Sequence, residues 1–139
     1  MKTSNKKKKK IIGLIEKVKI IGQKGEITSY ALIDTGATRT SVDIGLAAKA
    51  GLGPVVDSVT VKGKSLLGKV RRPIVEGIIE IKGKKIKTKM SLEDRSNMAT
   101  KVLVGRDVIH SNFIVDITKT HKDHKLKSWI KKIEKERGN

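Results

Sequence analysis

Short runs of β-branched residues separated by glycine are the feature that most limits what this chain can fold into. Runs rich in Ile and Val that stop at Gly or at a polar turn are typical of strands. We predict strands at residues 13–21, 27–33, 58–61, 74–81, 84–91, 101–104 and 113–117. A hairpin turn is expected at Gly83, and short helices at 43–50, ending before Gly51, and at 107–111. These elements favour a small, mostly β, barrel-like domain.

The length and the distribution of apolar residues set the expected domain organisation. The chain has 139 residues, which suits one folded domain. We expect a basic disordered tail at 1–10, the folded domain at 11–118 and a basic helical extension at 119–139, whose amphipathic helix runs over 124–137. No apolar run reaches the roughly 20 residues that span a bilayer, so we expect no membrane partner and a cytoplasmic location.

The composition excludes several classes of chemistry. The chain has no cysteine, which rules out disulfides, thiolate metal sites and cysteine nucleophiles. It has one Phe, one Tyr and one Trp, so nucleic-acid binding by base stacking is disfavoured. Lys and Arg number 32 against 14 Asp and Glu, a formal net charge of +18. This excess is compatible with nonspecific contact with nucleic acid or the ribosome, or with a lysine-rich surface of no specific use.

The most informative segment is an apolar strand that ends in an aspartate. Residues 30–33 lead into Asp34, Thr35 and Gly36, with Ala37 next. Gly36 allows the backbone to approach the carboxylate closely, and the Thr35 hydroxyl can brace the turn. The arrangement suits a catalytic carboxylate at Asp34, although an Asp-Thr-Gly turn alone also occurs without chemistry.

A second apolar strand strengthens this interpretation. It ends in Val104 and leads into Gly105, Arg106 and a short helix. Together the two segments resemble the retropepsin family of aspartic proteases, in which Asp-Thr-Gly-Ala follows one apolar strand and two hydrophobic residues precede Gly-Arg later in the chain. The resemblance covers residues 13–117. It implies a retropepsin-like closed acid-protease barrel with one lobe per chain, in which Val104, Gly105 and Arg106 support the active-site turn.

The resemblance also assigns the stretch between the two motifs. A glycine-bearing segment looks like the flap, the hairpin that covers the substrate in this family. Its residues are Lys62, Gly63, Lys64, Ser65, Leu66, Leu67 and Gly68. In residues 71–76, 91–96, 104–106 and 113–116 the chain looks closest to a cellular branch found beside ATP-grasp glutamate ligases and often labelled ATP-dependent zinc protease. That association implies peptide or protein substrates that are acidic or glutamylated.

The chain departs from the viral members of the family beside the active-site turn. Those members usually carry acidic residues where this chain has Thr38 and Arg39, and one of these acids pairs with the arginine that matches Arg106. We therefore expect Arg106 to find another partner or solvent.

The zinc and ATP labels find little support in the residues. His110, His121 and His124 have neither the number nor the spacing of a zinc site. Lys62-Gly63-Lys64-Ser65 lacks the rest of a phosphate-binding loop. We therefore predict no metal and no cofactor.

The chemistry of an aspartic peptidase determines the expected assembly. Two carboxylates share one proton, so that one acts as base on the attacking water while the other protonates the substrate carbonyl. The chain has one Asp-Thr-Gly, so a working enzyme requires a homodimer with Asp34 from each subunit. The resemblance makes the terminal segments 11–20 and 113–117 the expected dimer contacts. The alternative hypothesis is a catalytically inactive retropepsin-fold dimer that binds acidic peptides, the ribosome or RNA.

Overall fold

Isoleucine and valine make up most of the interior of this protein. The computed structural model describes residues 8–62, 68–121, 131–132 and 135–136. Among these residues, the aromatic side chain in the buried core is Phe113. The described residues form nine strands and two short helices, so the predicted mostly β class is confirmed. The strands are β1 (Lys10–Ile12), β2 (Ile15–Gly22), β3 (Gly25–Ile33), β4 (Ser41–Asp43), β5 (Val55–Val61), β6 (Val70–Ile81), β7 (Lys84–Glu93), β8 (Val102–Val104) and β9 (Phe113–Val115), and the helices are α1 (Ile44–Ala50) and α2 (Arg106–Ile109).

Six of the strands close into a barrel. β2 pairs antiparallel with β3, β3 parallel with β8, and β8 antiparallel with β4. β4 pairs parallel with β7, β7 antiparallel with β6, and β6 returns to β2. β5 adds to β6, while β1 and β9 form a separate parallel pair that we call the terminal ribbon. Alternate side chains point into the barrel, and Ile20, Ile79 and Met90 among them are fully buried.

Local sequence signals explain the best-predicted elements. The β6–β7 hairpin turns at Lys82 and Gly83, whose φ angles are 53° and 79°. Positive φ at both central turn residues gives the twist that matches the flanking strands. Helix α1 begins after Asp43, whose Oδ2 accepts hydrogen bonds from the backbone N–H groups of Gly45 and Leu46, and it ends at left-handed Gly51. Both elements were predicted from these residues.

Two strands were missed. β1 and β4 have three residues each, which is too short to show an alternating pattern. The assignment of Lys10 to a disordered tail was wrong, because Lys10 begins β1 and pairs with Phe113. The predicted C-terminal helix lies outside the described residues, except for residues 131–132 and 135–136, which are helical. No helix within the described part of the chain is long and apolar enough to cross a membrane.

Candidate active site

Asp34 lies at the point where β3 leaves the barrel. Its backbone N–H donates to the Val104 carbonyl at 2.9 Å, and the Ala37 N–H donates back to the Asp34 carbonyl at 3.1 Å, which closes a tight turn. The Gly36 N–H donates to Asp34 Oδ1 at 2.9 Å. The carboxylate is half-buried, while Thr35 and Gly36 are exposed. One carboxylate oxygen is therefore oriented by the backbone, and the turn itself is open to ligands.

Gly105 lets the end of β8 pass directly beneath this turn. A Cβ at Gly105 would lie 2.8 Å from the Arg39 carbonyl carbon and 2.9 Å from the Ala37 oxygen. Both neighbours are backbone atoms that cannot swing aside, so the close approach requires glycine. The next N–H, of Arg106, donates to the same Ala37 oxygen at 2.8 Å. The structure therefore brings the two motifs of the sequence into direct contact.

The Arg106 side chain has partners other than an acid. Its Nη1 donates to the Thr35 carbonyl at 2.9 Å, and its Nη2 donates to Thr38 Oγ1 at 2.9 Å. Because Thr38 stands where viral members usually have an acid, a hydroxyl provides the acceptor in this chain. The expectation that Arg106 finds another partner is confirmed, and the guanidinium spans the turn from one side to the other.

A second brace under the turn was missed by the sequence analysis. Thr40 is fully buried, and its hydroxyl donates to Asp107 Oδ1 at 2.8 Å while accepting from the Gly105 N–H at 3.1 Å. The Thr40 N–H also donates to the Asp107 carboxylate at 3.1 Å. Thr40 and Asp107 are 67 residues apart, so no local pattern indicates that they meet.

A groove of about 390 Å³ lies beside the turn. Its walls come from the residues after Asp34, from β5, and from the outer ends of β6, β7 and β8. The lining residues are Ala37, Thr38, Arg39, Ser41, Val59, Val61, Arg72, Ser91, Glu93 and Leu103. At its base the buried hydroxyls of Ser41 and Ser91 lie 2.9 Å apart. A groove of mixed apolar and polar walls suits a peptide side chain.

Charged side chains make one wall of the groove positive. Glu93 lies between two guanidinium groups, at 3.2 Å from Arg72 Nη2 and 3.1 Å from Arg95 Nη1. Arg95 is 2% exposed, and its Nε also donates to the Thr100 carbonyl at 3.0 Å. Arg39 is exposed at the rim of the groove, and Asp43 is a second carboxylate beside the cluster, since its Oδ1 accepts from the Arg95 backbone N–H at 2.9 Å. The sequence analysis did not include Arg72, Glu93 or Arg95 in the site, because the contacts that hold them appear only in the folded chain.

The ends of the predicted flap lie at this groove. β5 carries Val59 and Val61, which line the groove, and Lys62 follows them as an exposed residue. Gly68, with φ 73°, leads back into β6. The remaining flap residues lie outside the described part of the chain: Gly63, Lys64, Ser65, Leu66 and Leu67.

Two carboxyl groups outside the Asp34 turn are stabilised in their charged form by neighbouring residues. Hydrogen bonds from the hydroxyl and the N–H of Ser96 hold the pKa of Asp94 below its ordinary value, and Thr118 does the same for the pKa of Asp116. The His121 ring lies edge-on to Tyr30 at 5.5 Å. Over the described residues, no group of three or more His, Cys, Asp or Glu side chains is arranged to hold a metal ion.

Comparison with known proteins gives matches in structure only. No family model and no curated protein matches the sequence. Lpg0085 from Legionella pneumophila, a protein of unknown function (DUF785), aligns with a TM-score of 0.58 at 23% identity, covering 83% of this chain and 98% of that chain. The solution structure of the simian foamy virus protease aligns with a TM-score of 0.50 at 14% identity, covering 68% of this chain and 90% of that chain. EIAV protease in complex with an inhibitor aligns with a TM-score of 0.48 at 22% identity, covering 68% and 83% of the two chains.

The likenesses to Lpg0085 and to the foamy virus protease support the fold. At such low identity a structural match speaks for architecture and leaves activity open. The closed barrel and its match to the foamy virus protease confirm the predicted retropepsin-like fold, with one lobe in this chain. Membership in the branch labelled ATP-dependent zinc protease stays a prediction.

Proposed function

We propose that this protein is an aspartic peptidase that works as a homodimer, with Asp34 of each subunit forming a shared catalytic pair. The observation that carries the proposal is the Asp34 turn: a half-buried carboxylate at a strand end, with Oδ1 held by the Gly36 N–H. No donor among the described residues reaches Oδ2. That oxygen is free to meet a water molecule and a second carboxylate. The retropepsin-like fold adds support, since the foamy virus neighbour is a protease.

In the proposed mechanism, water attacks the scissile peptide carbonyl. One ionised Asp34 removes a proton from the water, and the protonated Asp34 of the second copy donates its proton to the carbonyl oxygen. The tetrahedral intermediate then collapses, the carbon–nitrogen bond breaks, and a carboxyl group of the pair returns a proton to the leaving amine.

The remaining site residues are proposed to position this pair. Thr35, Gly36 and Ala37 form the turn, while Arg106 bonds across it through the Thr35 carbonyl and the Thr38 hydroxyl. Val104 and Gly105 support it from below. Residues 62–68 would cover the bound substrate and exclude water. A preorganised turn of this kind lowers the reorganisation needed as charge develops.

The groove supports an acidic or glutamylated peptide as the substrate. Two arginines, Arg39 and Arg72, line the groove with one carboxylate, Glu93, which Arg72 and the buried Arg95 both contact. A substrate carboxylate entering the groove would meet Arg72, which is 29% exposed, and Arg39 at the rim. Charge-assisted hydrogen bonds from arginine to carboxylate are among the stronger polar contacts in proteins. The cytoplasmic location stays a prediction.

The test is peptide cleavage by the wild-type protein and by Asp34→Asn. A diverse peptide mixture that includes acidic and glutamylated members is incubated with each protein from acidic to neutral pH, and products are identified by mass spectrometry. We expect cleavage by the wild type, loss of cleavage on Asp34→Asn, inhibition by a transition-state analogue of aspartic proteases, and no effect of a chelator.

A matched control separates chemistry from charge. Asp94→Asn also removes one carboxylate, yet it can keep the oxygen that accepts from Ser96, so its cleavage rate should equal that of the wild type. Cleavage that survives in Asp34→Asn would refute the proposal. A wild-type dimer that cleaves nothing but binds acidic peptides would favour the inactive binding module instead.

A further inference from the structure

Lysines surround the turn of the β6–β7 hairpin. Lys10 lies against this turn, because its Nζ donates a hydrogen bond to the Lys82 carbonyl at 2.6 Å. The same Nζ would lie 3.8 Å from a Cβ placed on Gly83. The contact brings two parts of the chain that are 72 residues apart into one surface. We call this surface the turn patch; its residues are Lys8, Lys9, Lys10, Lys82, Lys84 and Lys85.

The charges of the turn patch are largely uncompensated. All of its lysines are exposed except Lys84, which is half-buried with its Nζ 5.9 Å from the centre of the Phe113 ring. Across the described residues, none of the patch lysines forms an ion pair, whereas Lys19 on the neighbouring strand pairs with Glu26 at 3.3 Å. Glu80, opposite Lys85 in the β6–β7 ladder, is the carboxylate that borders the patch. Like charges held together without partners favour a polyanionic ligand.

The turn patch is remote from the groove. Arg72 of the groove lies near the start of β6, and Lys82 follows the end of the same strand. About ten residues of extended strand separate them, which corresponds to roughly 33 Å. A ligand on the patch therefore need not enter the groove.

We propose that the turn patch binds the phosphodiester backbone of a nucleic-acid duplex. A duplex presents a regular line of phosphates, and its binding is dominated by lysine and arginine contacts. Among the described residues, the ring that lies at the patch is Phe113, which is 4% exposed beneath Lys84 and so does not offer a face for stacking on unpaired bases. A membrane surface fits less well: the exposed Ile11 points to the opposite face of the ribbon from Lys10, because successive strand residues alternate.

The inference goes beyond the proposed peptidase activity and stands without it. It is tested on the full chain carrying Asp34→Asn, so that cleavage plays no part. Binding to labelled RNA and DNA duplexes of about 20 base pairs is followed by fluorescence anisotropy at several salt concentrations. The patch variant changes Lys82, Lys84 and Lys85 to Gln. The control variant changes Lys17, Lys24 and Lys49 to Gln, which are exposed lysines elsewhere on the surface.

The salt dependence distinguishes a local site from net charge. Each lost phosphate contact lowers the slope of log K against log salt by about 0.9, so the patch variant, which removes three lysines, should lose about 2.7 from the slope and the control almost nothing. A second variant, with Lys8 and Lys9 changed to Gln, leaves the turn intact and should lose a smaller part of the slope.

Three results would overturn the inference. Equal losses in the patch and control variants would mean that binding follows net charge alone. If the Asp34→Asn chain with an intact patch binds neither duplex, a nucleic-acid duplex is not the ligand of the patch. Stronger patch-dependent binding to poly-glutamate or to anionic lipid vesicles would assign it to another class of partner. A difference in affinity between the RNA duplex and the DNA duplex would identify which of the two backbones the patch binds.

Discussion

At the scale of single residues, Arg72 is the groove residue best placed to select a substrate. Its guanidinium is anchored at 3.2 Å to Glu93, which is itself held by the buried Arg95. Arg72 therefore keeps a fixed position while part of its side chain stays accessible. Successive residues of a strand point to opposite faces, and the neighbouring Arg71 instead donates to Ser58 Oγ at 2.6 Å. Arg71 and Arg72 therefore carry the same charge in different places, Arg72 in the groove and Arg71 outside it.

We predict that Arg72→Gln lowers the preference for acidic substrates by about tenfold, because one charge-assisted hydrogen bond is worth roughly 1.5 kcal/mol or more. The measurement compares kcat/KM for two peptides that differ by Glu or Gln at the position occupying the groove. Arg71→Gln should keep the preference of the wild type. The same loss in both variants would attribute selectivity to overall charge, and an unchanged preference in Arg72→Gln would exclude its role.

Residues that act through near neighbours were predictable from sequence. Asp34 and Gly36 lie two residues apart, and their hydrogen bond follows from the turn itself. Thr40 and Asp107 are 67 residues apart, and the contact of Arg95 N–H with Asp43 spans 52 residues. Such pairs require the register between β8 and β4 and between β4 and β7, which no short pattern specifies. The local turn at Asp34 was therefore predictable from the sequence, whereas its buried supports were not, and its catalytic role stays a prediction.

At the scale of elements, the terminal ribbon presents an apolar face. Ile11 of β1 and Ile114 of β9 are paired in register, and they are 49% and 54% exposed. Exposed neighbouring isoleucines on a two-stranded ribbon are suited to burial against another surface. In the proposed dimer, the ribbon of the second copy would cover them.

We predict that Ile114→Lys dissociates the proposed dimer and abolishes cleavage while the monomer stays folded, because the side chain is exposed within one chain. Sedimentation velocity reports the assembly and circular dichroism the fold. Ile44→Lys, at an equally exposed position (53%) on α1, is the control and should remain dimeric. An active dimeric Ile114→Lys protein would place the interface elsewhere.

Elements with strong local signals were predicted, and those defined by partners were not. Helix α1 has an aspartate cap and a glycine stop within its own sequence. β4 has three residues and exists because it pairs with β7 on one side and β8 on the other. β6 begins at Val70, four residues before the predicted start, because β5 pairs along its first half. Tertiary pairing thus extends strands beyond what their own residues indicate.

At the scale of the whole molecule, one barrel carries one Asp34 turn, one charged groove and one lysine-rich end. The groove and the turn patch lie toward opposite ends of the β6–β7 hairpin. These two positive regions hold only part of the net charge of +18, and they have different proposed partners, a substrate carboxylate and a phosphate backbone. A single chain supplies half of the proposed catalytic pair, so activity becomes a property of the assembly.

The most direct test of the account is to mix wild-type protein with Asp34→Asn at equal amounts, let subunits exchange, and measure cleavage at constant total chain concentration. If catalysis needs Asp34 from both subunits, random pairing leaves about one quarter of the dimers competent, so the rate falls to about a quarter of the wild-type value. If each chain acts alone, the rate falls only to about half, and that result would contradict the shared pair.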